Sequence, residues 1–345
     1  MRTRRSRDID GGEGGGAAGG EAHAAERRRV LLVFLDGVGI SEEDPDVNPF
    51  ARAVLPTLLR LLGGRLPWLH DPVAHGTDAV AFPMDASLGV EGIPQSGTGQ
   101  AALLTGENAA RLHGRHFGPW TPVRLRPLVE ERSVLRRARD AGLMVAFANA
   151  YPRGWPGRNG GRRVAGPPLA ARGAGVLDRH EEALGAGHAV ASEIVNDGWR
   201  RHLGHTALPR VTPEEAGRHL AGIAGQAELT LYAHYATDTA GHRGGMNGAI
   251  VALERVDRFL AGVLESLASS CTLLVVSDHG NVEDVRVGHT RNPAFGMAAG
   301  RDAGELATHL SSIMDVTGNV LRFLGVEDGP TPPSPRPSQD RTVVA

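Results

Sequence analysis

The sequence predicts an α/β fold with a mostly parallel sheet and helices on both of its faces. Short, fully apolar segments such as residues 271–276 are typical of strands buried in a parallel sheet. Between such segments, apolar residues recur at helical spacing, most clearly over residues 250–267, which predicts an amphipathic helix. Because strands alternate with helices along the chain, the helices are expected to cover both faces of the sheet.

Each element follows from its local pattern. Apolar segments predict strands at residues 30–35, 143–149, 229–234 and 271–277. Helical periodicity predicts helices at residues 100–110, 129–141, 213–224, 250–267 and 308–324. The third of these helices follows Thr212-Pro213-Glu214-Glu215, a capping box with proline at the first helical position.

The 345 residues suffice for one large domain with an inserted piece. We expect residues 1–28, rich in Gly, Ala, Arg and Glu, to be a disordered tail, and the Pro-rich residues 327–345 to be a flexible one. The catalytic core is predicted at residues 29–150 and 206–326. Residues 151–205, with short helical pieces at 179–184 and 187–195, are interpreted as a small insertion or cap; an irregular surface loop is the alternative.

Composition excludes several classes of function. The formal net charge of −2 gives no reason to expect nucleic acid or an anionic membrane as a partner. All 37 basic residues are arginine, so any basic clamp on a phosphate must be arginine. No apolar run is long enough to span a membrane, and no apolar segment of an export signal follows Arg4-Arg5. We therefore expect a cytoplasmic protein; the sequence does not indicate its oligomeric state.

Carboxylates and imidazoles follow the predicted strands, where open α/β sheets bind ligands. Each such residue alone is more often a cap, a turn or a surface residue, but together they indicate a site for two divalent metal ions, Mn²⁺ or Zn²⁺. The candidate metal ligands are Asp36, Ser96, Asp238, His242, Asp278, His279 and His289.

Ser96 is the candidate nucleophile. It lies in Ser96-Gly97-Thr98-Gly99, interpreted as a Gly-rich turn before a helix. A serine hydroxyl is a poor nucleophile until metal coordination activates it, and a helix N-terminus favours a bound phosphate group. Thr98, two residues away, is the alternative nucleophile.

These motifs resemble those of the alkaline phosphatase superfamily, and most closely its cofactor-independent phosphoglycerate mutase branch. The matching motifs are Asp36-Gly37, Gln95-Ser96-Gly97-Thr98-Gly99-Gln100, Asp238-Thr239-Ala240-Gly241-His242, Asp278-His279-Gly280-Asn281-Val282-Glu283 and His289-Thr290-Arg291-Asn292. The resemblance implies an alkaline-phosphatase-like fold. It also implies that Asp36, Ser96, Asp278 and His279 hold one metal ion, that Asp238, His242 and His289 hold the other, and that Ser96 receives the phosphoryl group.

The resemblance implies a phosphatase or phosphomutase-like enzyme that acts on a small phosphate ester through a phosphoserine intermediate. The mutases carry a much larger inserted domain that supplies basic residues, including a lysine. The short insertion and the absence of lysine therefore favour hydrolysis. A phosphodiesterase or phosphonate hydrolase and a non-catalytic metal-binding module are the alternatives.

Three residues are hypothesised to contact the substrate: Arg115, His116 and Asn149. The arginines Arg153, Arg158, Arg162 and Arg163 are further candidates to line the pocket, and ordinary loop structure is the alternative for all of them.

Overall fold

A single sheet organises the chain in this computed structural model, which describes residues 27–157, 161 and 163–327. Its strands are β1 (Arg29–Leu35), β2 (Ala74–His75), β3 (Ala79–Met84), β4 (Val145–Phe147), β5 (Leu229–His234), β6 (Cys271–Val276) and β7 (Ala294–Ala299). Their order across the sheet is β2-β3-β7-β6-β1-β5-β4. The predicted tails lie outside the described residues, except for Arg27, Arg28 and Glu327.

The sheet is mostly parallel, as predicted. Strand β1 is central and pairs in parallel with β5 on one side and β6 on the other, and β4 extends the parallel part beyond β5. Strands β7, β3 and β2 complete the opposite edge through antiparallel pairings. These three strands were not predicted from the sequence, because β7 and β3 are rich in small residues and β2 has only two residues.

Helices cover both faces of the sheet, as predicted. They are α1 (Pro56–Leu61), α2 (Ser96–Thr105), α3 (Ala109–His113), α4 (Arg126–Arg132), α5 (Val134–Asp140), α6 (Gly166–Gly173), α7 (Glu181–Gly185), α8 (Asp197–His202), α9 (Pro213–Ala224), α10 (Ala236–Arg243), α11 (Gly245–Ser266), α12 (Ala303–Ala307) and α13 (Asp315–Phe323). Short 3-10 helices lie at Pro49–Ala51 and Val123–Leu125. None of the described helices is long and apolar enough to cross a membrane.

The alternation of side chains along β1 divides the core into two layers. Val30, Leu32 and Phe34 face a cluster that includes residues of α2, α4, α5, α6 and α13. Leu31 and Val33 face the other cluster, which includes residues of α1, α9 and α11. Strand β1 is buried on both faces, and each fully buried side chain of this kind contributes about 1.5–3 kcal/mol.

Three predicted helix boundaries are wrong for local reasons. The predicted helix 129–141 is two helices, because Ser133 ends α4 and caps the N-terminus of α5. The predicted helix 100–110 ends at Thr105, where Gly106 adopts a left-handed conformation. The predicted helix 308–324 begins only at Asp315. The capping box at Thr212 is present, with both of its reciprocal hydrogen bonds.

The segment 151–205 is divided between two environments. Helix α6 packs against α2 and α4 and contributes to the core on one face of the sheet. A separate small cluster consists of Ala150, Leu184, Ala189, Ala191, Trp199 and Leu208. Residues 187–195, predicted to be helical, instead form isolated bridges, one of which pairs Val190 with Asn149.

Asn149 joins two strand ends, although the sequence suggested a substrate contact. Its side-chain amide donates to the Ala233 carbonyl over 2.7 Å and accepts from the Ala233 amide over 2.8 Å. Beyond the end of β4, the side chain therefore supplies the hydrogen bonds to β5 that the backbone of a longer strand would make. Asn149 is 1% exposed, so these hydrogen bonds occupy a buried amide.

We expect Asn149→Ala to lower the free energy of unfolding by about 2–6 kcal/mol, because each of two buried backbone groups left unpaired costs about 1–3 kcal/mol. Urea denaturation measures this change. The control Asn247→Ala, at an exposed position on α11, is expected to stay within about 0.5 kcal/mol of the wild type. Unchanged stability combined with a raised KM would instead identify Asn149 as a substrate contact.

Candidate metal centre and active site

The predicted metal ligands converge at one edge of the sheet. The central strand β1 ends at Asp36, and β6 is followed by Asp278 and His279. Strand β5 leads into α10, which carries Asp238 and His242 one helical turn apart. Because these three strands are parallel neighbours, their carboxyl ends bring the side chains together.

The first group of ligands surrounds one imidazole nitrogen. His279 Nε2 lies 3.4 Å from Asp36 Oδ1, 3.6 Å from Asp278 Oδ2 and 2.9 Å from Ser96 Oγ. All four side chains are buried. The acidic and imidazole ligand atoms of this group lie within 4.8 Å of one another, close enough to share one ion.

The second group adjoins the first. His289 Nε2 lies 3.3 Å from Asp238 Oδ1 and 3.0 Å from His242 Nε2, and His242 Nε2 lies 3.5 Å from Asp238 Oδ2. Ligand atoms of Asp238, His279 and His289 also fall within 4.8 Å of one another. His279 therefore lies between the two groups, and all seven predicted ligands belong to one continuous centre.

The donor set suits a divalent cation. Asp36 Oδ1 and Asp278 Oδ2 are buried and have no hydrogen-bond partner among the described residues. The other oxygen of each is held by the protein: Gln100 Nε2 donates to Asp36 Oδ2 over 3.0 Å, and the Gly37 amide donates to Asp278 Oδ1 over 3.3 Å. Each carboxylate thus directs one unpartnered oxygen toward His279, as a metal ligand would.

The histidine rings are oriented through their second nitrogen. His289 Nδ1 lies 3.1 Å from the Pro94 carbonyl oxygen, and His279 Nδ1 lies 3.2 Å from that of Gly280. A proton on each Nδ1 donates to these carbonyls and leaves the Nε2 lone pair directed at the centre. This arrangement is typical of metal-binding histidines.

The buried carboxylates of the centre favour the binding of positive charge. Burial raises the pKa of Asp278 well above its ordinary value, and the Asp36 carboxylate raises it further. Burial also raises the pKa of Asp36, against the lowering effect of the neighbouring His279 imidazole. Burial would lower the pKa of His279, but Asp278 and Asp36 raise it to about 10. Without a cation the centre retains protons, and metal binding would release them.

Glu283 holds the ligand loops together, a role that the sequence analysis did not assign although it quoted the residue in a motif. Its buried carboxylate accepts hydrogen bonds from the Gly39 amide at 2.9 Å and the Asn281 amide at 2.7 Å. It also accepts from Thr290 Oγ1 at 2.6 Å and Asn292 Nδ2 at 3.1 Å. These donors lie beside the loops that carry Asp36, His279 and His289, so Glu283 fixes their relative positions.

Gln100 is a second residue that the sequence analysis did not identify. It lies one turn after Ser96 on α2, donates to Asp36, and accepts a hydrogen bond from the Gly166 amide over 2.9 Å. It therefore connects α2, the Asp36 carboxylate and the start of α6. Its spacing of four residues from Ser96 was the available signal.

The Gly-rich segment is the first turn of α2 rather than a loop before a helix. A Cβ atom on Gly97 would overlap the carbonyl oxygens of Phe117 and Trp120, and one on Gly99 would lie 3.0 Å from the Asp278 carbonyl oxygen. The two glycines therefore let the helix start fit between the 117–120 loop and the end of β6. This packing places Ser96 next to His279.

Thr98 has a different environment from Ser96. Its hydroxyl accepts from the Phe117 amide over 3.1 Å and lies 3.3 Å from the Gln95 carbonyl oxygen, to which it donates. The residue is fully buried and does not line the cleft, whereas Ser96 does. Thr98 thus fastens the 117–120 loop to α2.

A cleft of about 1110 Å³ opens over the centre, and Asp36, Ser96, Asp238, His242 and His289 are among its lining residues. The predicted substrate contacts Arg115, His116 and Asn149 do not line it. The His116 ring bonds to the Ser87 or Val90 carbonyl, and Arg115 is exposed.

Of the four candidate arginines, Arg163 lines the cleft, while Arg153 pairs with Glu182. Arg158 and Arg162 lie outside the described residues.

Comparison with known proteins agrees with this arrangement. Residues 222–328 match the Metalloenzyme superfamily, and this region contains five of the seven ligands. Over this region the chain is similar to metalloenzymes of the alkaline phosphatase superfamily. A 104-residue segment is 36% identical to the 2,3-bisphosphoglycerate-independent phosphoglycerate mutase of Desulforudis audaxviator, and covers 28% of this chain and 20% of that protein.

Other relatives give the same result. The corresponding mutase of Thiobacillus denitrificans is 35% identical over 124 residues, which are 33% of this chain and 23% of that protein. The chain thus matches only about a fifth to a quarter of the length of these mutases.

Solved structures share the fold. The PH0037 protein from Pyrococcus horikoshii has a TM-score of 0.54 at 12% identity, covering 88% of this chain and 98% of that one. The lipoteichoic acid synthase LtaP from Listeria monocytogenes has a TM-score of 0.50 at 11% identity, covering 88% and 73%.

Metal binding is expected to stabilise the protein. At 100 times its dissociation constant, Mn²⁺ or Zn²⁺ should raise the free energy of unfolding by about 2.7 kcal/mol, since the ion binds the folded chain. Asp278→Asn should lose most of this gain in thermal denaturation with and without metal. The matched control Asp140→Asn, at an exposed position, should keep it. An equal gain in both variants would contradict the assignment of Asp278 as a ligand.

Glu283→Gln should weaken metal binding about 10- to 100-fold, the usual effect of losing a group that orients the ligands. The side-chain NH2 group of glutamine would face N–H and O–H groups that donate hydrogen bonds to the carboxylate in the wild type. Isothermal titration calorimetry with Mn²⁺ or Zn²⁺ measures the affinity. Glu265→Gln, at an exposed ion pair on α11, is the control and should bind metal as the wild type does. Wild-type affinity in Glu283→Gln would refute this role.

Proposed function

We propose that the protein is a metal-dependent phosphoryl-transfer enzyme that hydrolyses a small phosphate ester through a phosphoserine on Ser96. The observation that carries this proposal is the position of the Ser96 hydroxyl, 2.9 Å from His279 Nε2, in a residue that lines the cleft. A hydroxyl at the metal centre, open to a substrate, is the arrangement that nucleophilic catalysis requires.

Ser96 Oγ would lose its proton to solvent and attack phosphorus, forming a bond from phosphorus to Oγ as the bond to the ester oxygen breaks. The alcohol leaves with a proton from solvent, and water then cleaves phosphoserine to serine and inorganic phosphate. Divalent ions held by the two ligand groups would neutralise phosphate charge and favour the ionised hydroxyl. Ser96 begins α2, so the positive end of the helix dipole also favours a phosphoryl group there.

Hydrolysis is favoured over phosphoryl return to a second hydroxyl. The relatives named phosphoglycerate mutase match over only about a fifth to a quarter of their length. The chain also contains no lysine to hold a bound phosphorylated acid. The proposed substrate is therefore a phosphate monoester, and the proposed ions are Mn²⁺ or Zn²⁺, which carboxylate and imidazole ligands accept.

The surroundings of Thr98 support Ser96 as the nucleophile. A phosphodiesterase or phosphonate hydrolase that used Thr98 would need its hydroxyl free, but that hydroxyl is engaged with the backbone of the 117–120 loop. For this alternative, the rotation of Thr98 toward the cleft would have to break buried hydrogen bonds.

The first test is phosphate release from a panel of phosphorylated metabolites, with Mn²⁺ or Zn²⁺ supplied. We expect Ser96→Ala to reduce turnover at least about 10³-fold, because loss of a nucleophile removes the covalent route. Intact-mass analysis of quenched wild-type reactions should detect one added phosphoryl group, absent from Ser96→Ala.

Thr98→Ala is the matched variant and should keep the phosphoserine. Activity that survives Ser96→Ala but not Thr98→Ala would favour the diesterase or phosphonate hydrolase. Tight metal binding without turnover of any ester would favour a non-catalytic metal-binding module.

A further inference from the structure

The cleft over the metal centre is larger than a small phosphate ester requires. Its volume of about 1110 Å³ slightly exceeds the about 300–1,000 Å³ of pockets that hold drug-sized ligands. A phosphoryl group beside Ser96 with a three-carbon alcohol would occupy a small part of it. The remaining space is large enough for another part of the substrate.

Aromatic side chains are concentrated in this remaining space. Two of the four tryptophans and two of the three tyrosines of the chain line the cleft, namely Trp120, Trp155, Tyr151 and Tyr235. Tyr151 and Trp155 meet edge to face with ring centroids 4.8 Å apart, and the Tyr151 and Tyr235 hydroxyl oxygens are 3.5 Å apart. They form what we call the aromatic wall.

The aromatic wall is held from behind by the core. Tyr151 stacks on Phe147, with ring centroids 6.0 Å apart, and Tyr235 meets Phe34 edge to face at 6.3 Å. Phe147 and Phe34 are buried in strands β4 and β1. Because these rings are already ordered, a ligand that packs against them loses little free energy to side-chain ordering.

The other lining groups are mixed. Among the described residues they include the exposed arginines Arg163 and Arg243 and the polar side chains of Gln95, Ser192 and Thr239. Ile93 and Val287 add apolar surface that is 45% and 64% exposed. A ring that covered such surfaces would bury apolar area and gain edge or stacking contacts with the wall.

We propose that the alcohol part of the substrate carries an aromatic ring, which binds against the aromatic wall while the phosphoryl group lies at Ser96. The inference rests on the proposed phosphoryl transfer and adds the substrate class. The hydroxyls of Tyr151 and Tyr235 and the two arginines offer hydrogen bonds to polar substituents of the ring.

The test compares phenylpropyl phosphate with propyl phosphate, whose alcohols leave with similar ease because the ring is remote from the ester oxygen. We expect kcat/KM to be roughly 10- to 100-fold higher for phenylpropyl phosphate, the factor that burial of one aromatic ring gives. Cyclohexylpropyl phosphate has an apolar ring that is not aromatic. We expect its kcat/KM to be lower than that of phenylpropyl phosphate.

Trp155→Ala and Trp120→Ala should each reduce the ratio of kcat/KM for phenylpropyl phosphate to kcat/KM for propyl phosphate at least about threefold. Two variants are used because Trp120, 39% exposed, can be replaced with little risk to folding. Trp68→Ala is the control, since Trp68 packs against the core on one sheet face and does not line the cleft; it should retain the full preference.

Equal kcat/KM for phenylpropyl and propyl phosphate, or a preference that survives both cleft variants, would overturn the inference. Equal kcat/KM for phenylpropyl and cyclohexylpropyl phosphate would refute the inference that the substrate ring is aromatic. If no ester is hydrolysed, the proposed function fails, and calorimetry with phenylpropylphosphonate and propylphosphonate still decides the subsite. Binding at least about tenfold tighter for the phenyl compound supports the aromatic wall, and equal binding refutes it.

Discussion

Two buried carboxylates directed at one imidazole nitrogen are the constraint on which the rest of this structure depends. Asp36 and Asp278 each present an unpartnered oxygen to His279, deep in a medium where uncompensated charge is costly. The fold sustains this arrangement by anchoring the second oxygen of each carboxylate and by fixing the ligand loops on Glu283. In the free chain, bound protons reduce the cost of burying these carboxylates. A divalent cation would reduce the same cost, and this would contribute to its affinity for the site.

The parallel part of the sheet could be predicted, and with it the convergence of the ligands. Strands β1, β5 and β6 are apolar throughout, so their ends were evident, and the residues that follow them meet by the geometry of parallel pairing. The antiparallel edge could not be predicted in the same way. Strand β7 is built from Ala, Gly, Phe and Met, and its identity comes from pairing partners distant in sequence.

Within the site, the candidate metal ligands could be predicted from the sequence, but the residues that hold them in place could not. Asp and His beside glycines indicate metal ligands by type, whereas Gln100 and Glu283 act through partners that only the fold supplies. The hypothesised contact Asn149 illustrates the converse. A polar residue at a strand end looks functional, yet here it completes the ladder between two strands. Residue type fixes what a side chain can do, and the available neighbours decide what it does.

The central position of β1 has a consequence for how such chains are recognised. The region that matches the superfamily, residues 222–328, includes β5 and β6, but these strands touch only through β1, which lies outside it. Asp36 and Ser96 lie outside it as well. The most recognisable stretch is therefore not a unit that could be excised or transplanted. Within it, β5 would be separated from β6 and β7 by a gap one strand wide, so inheritance of the site requires inheritance of the whole sheet.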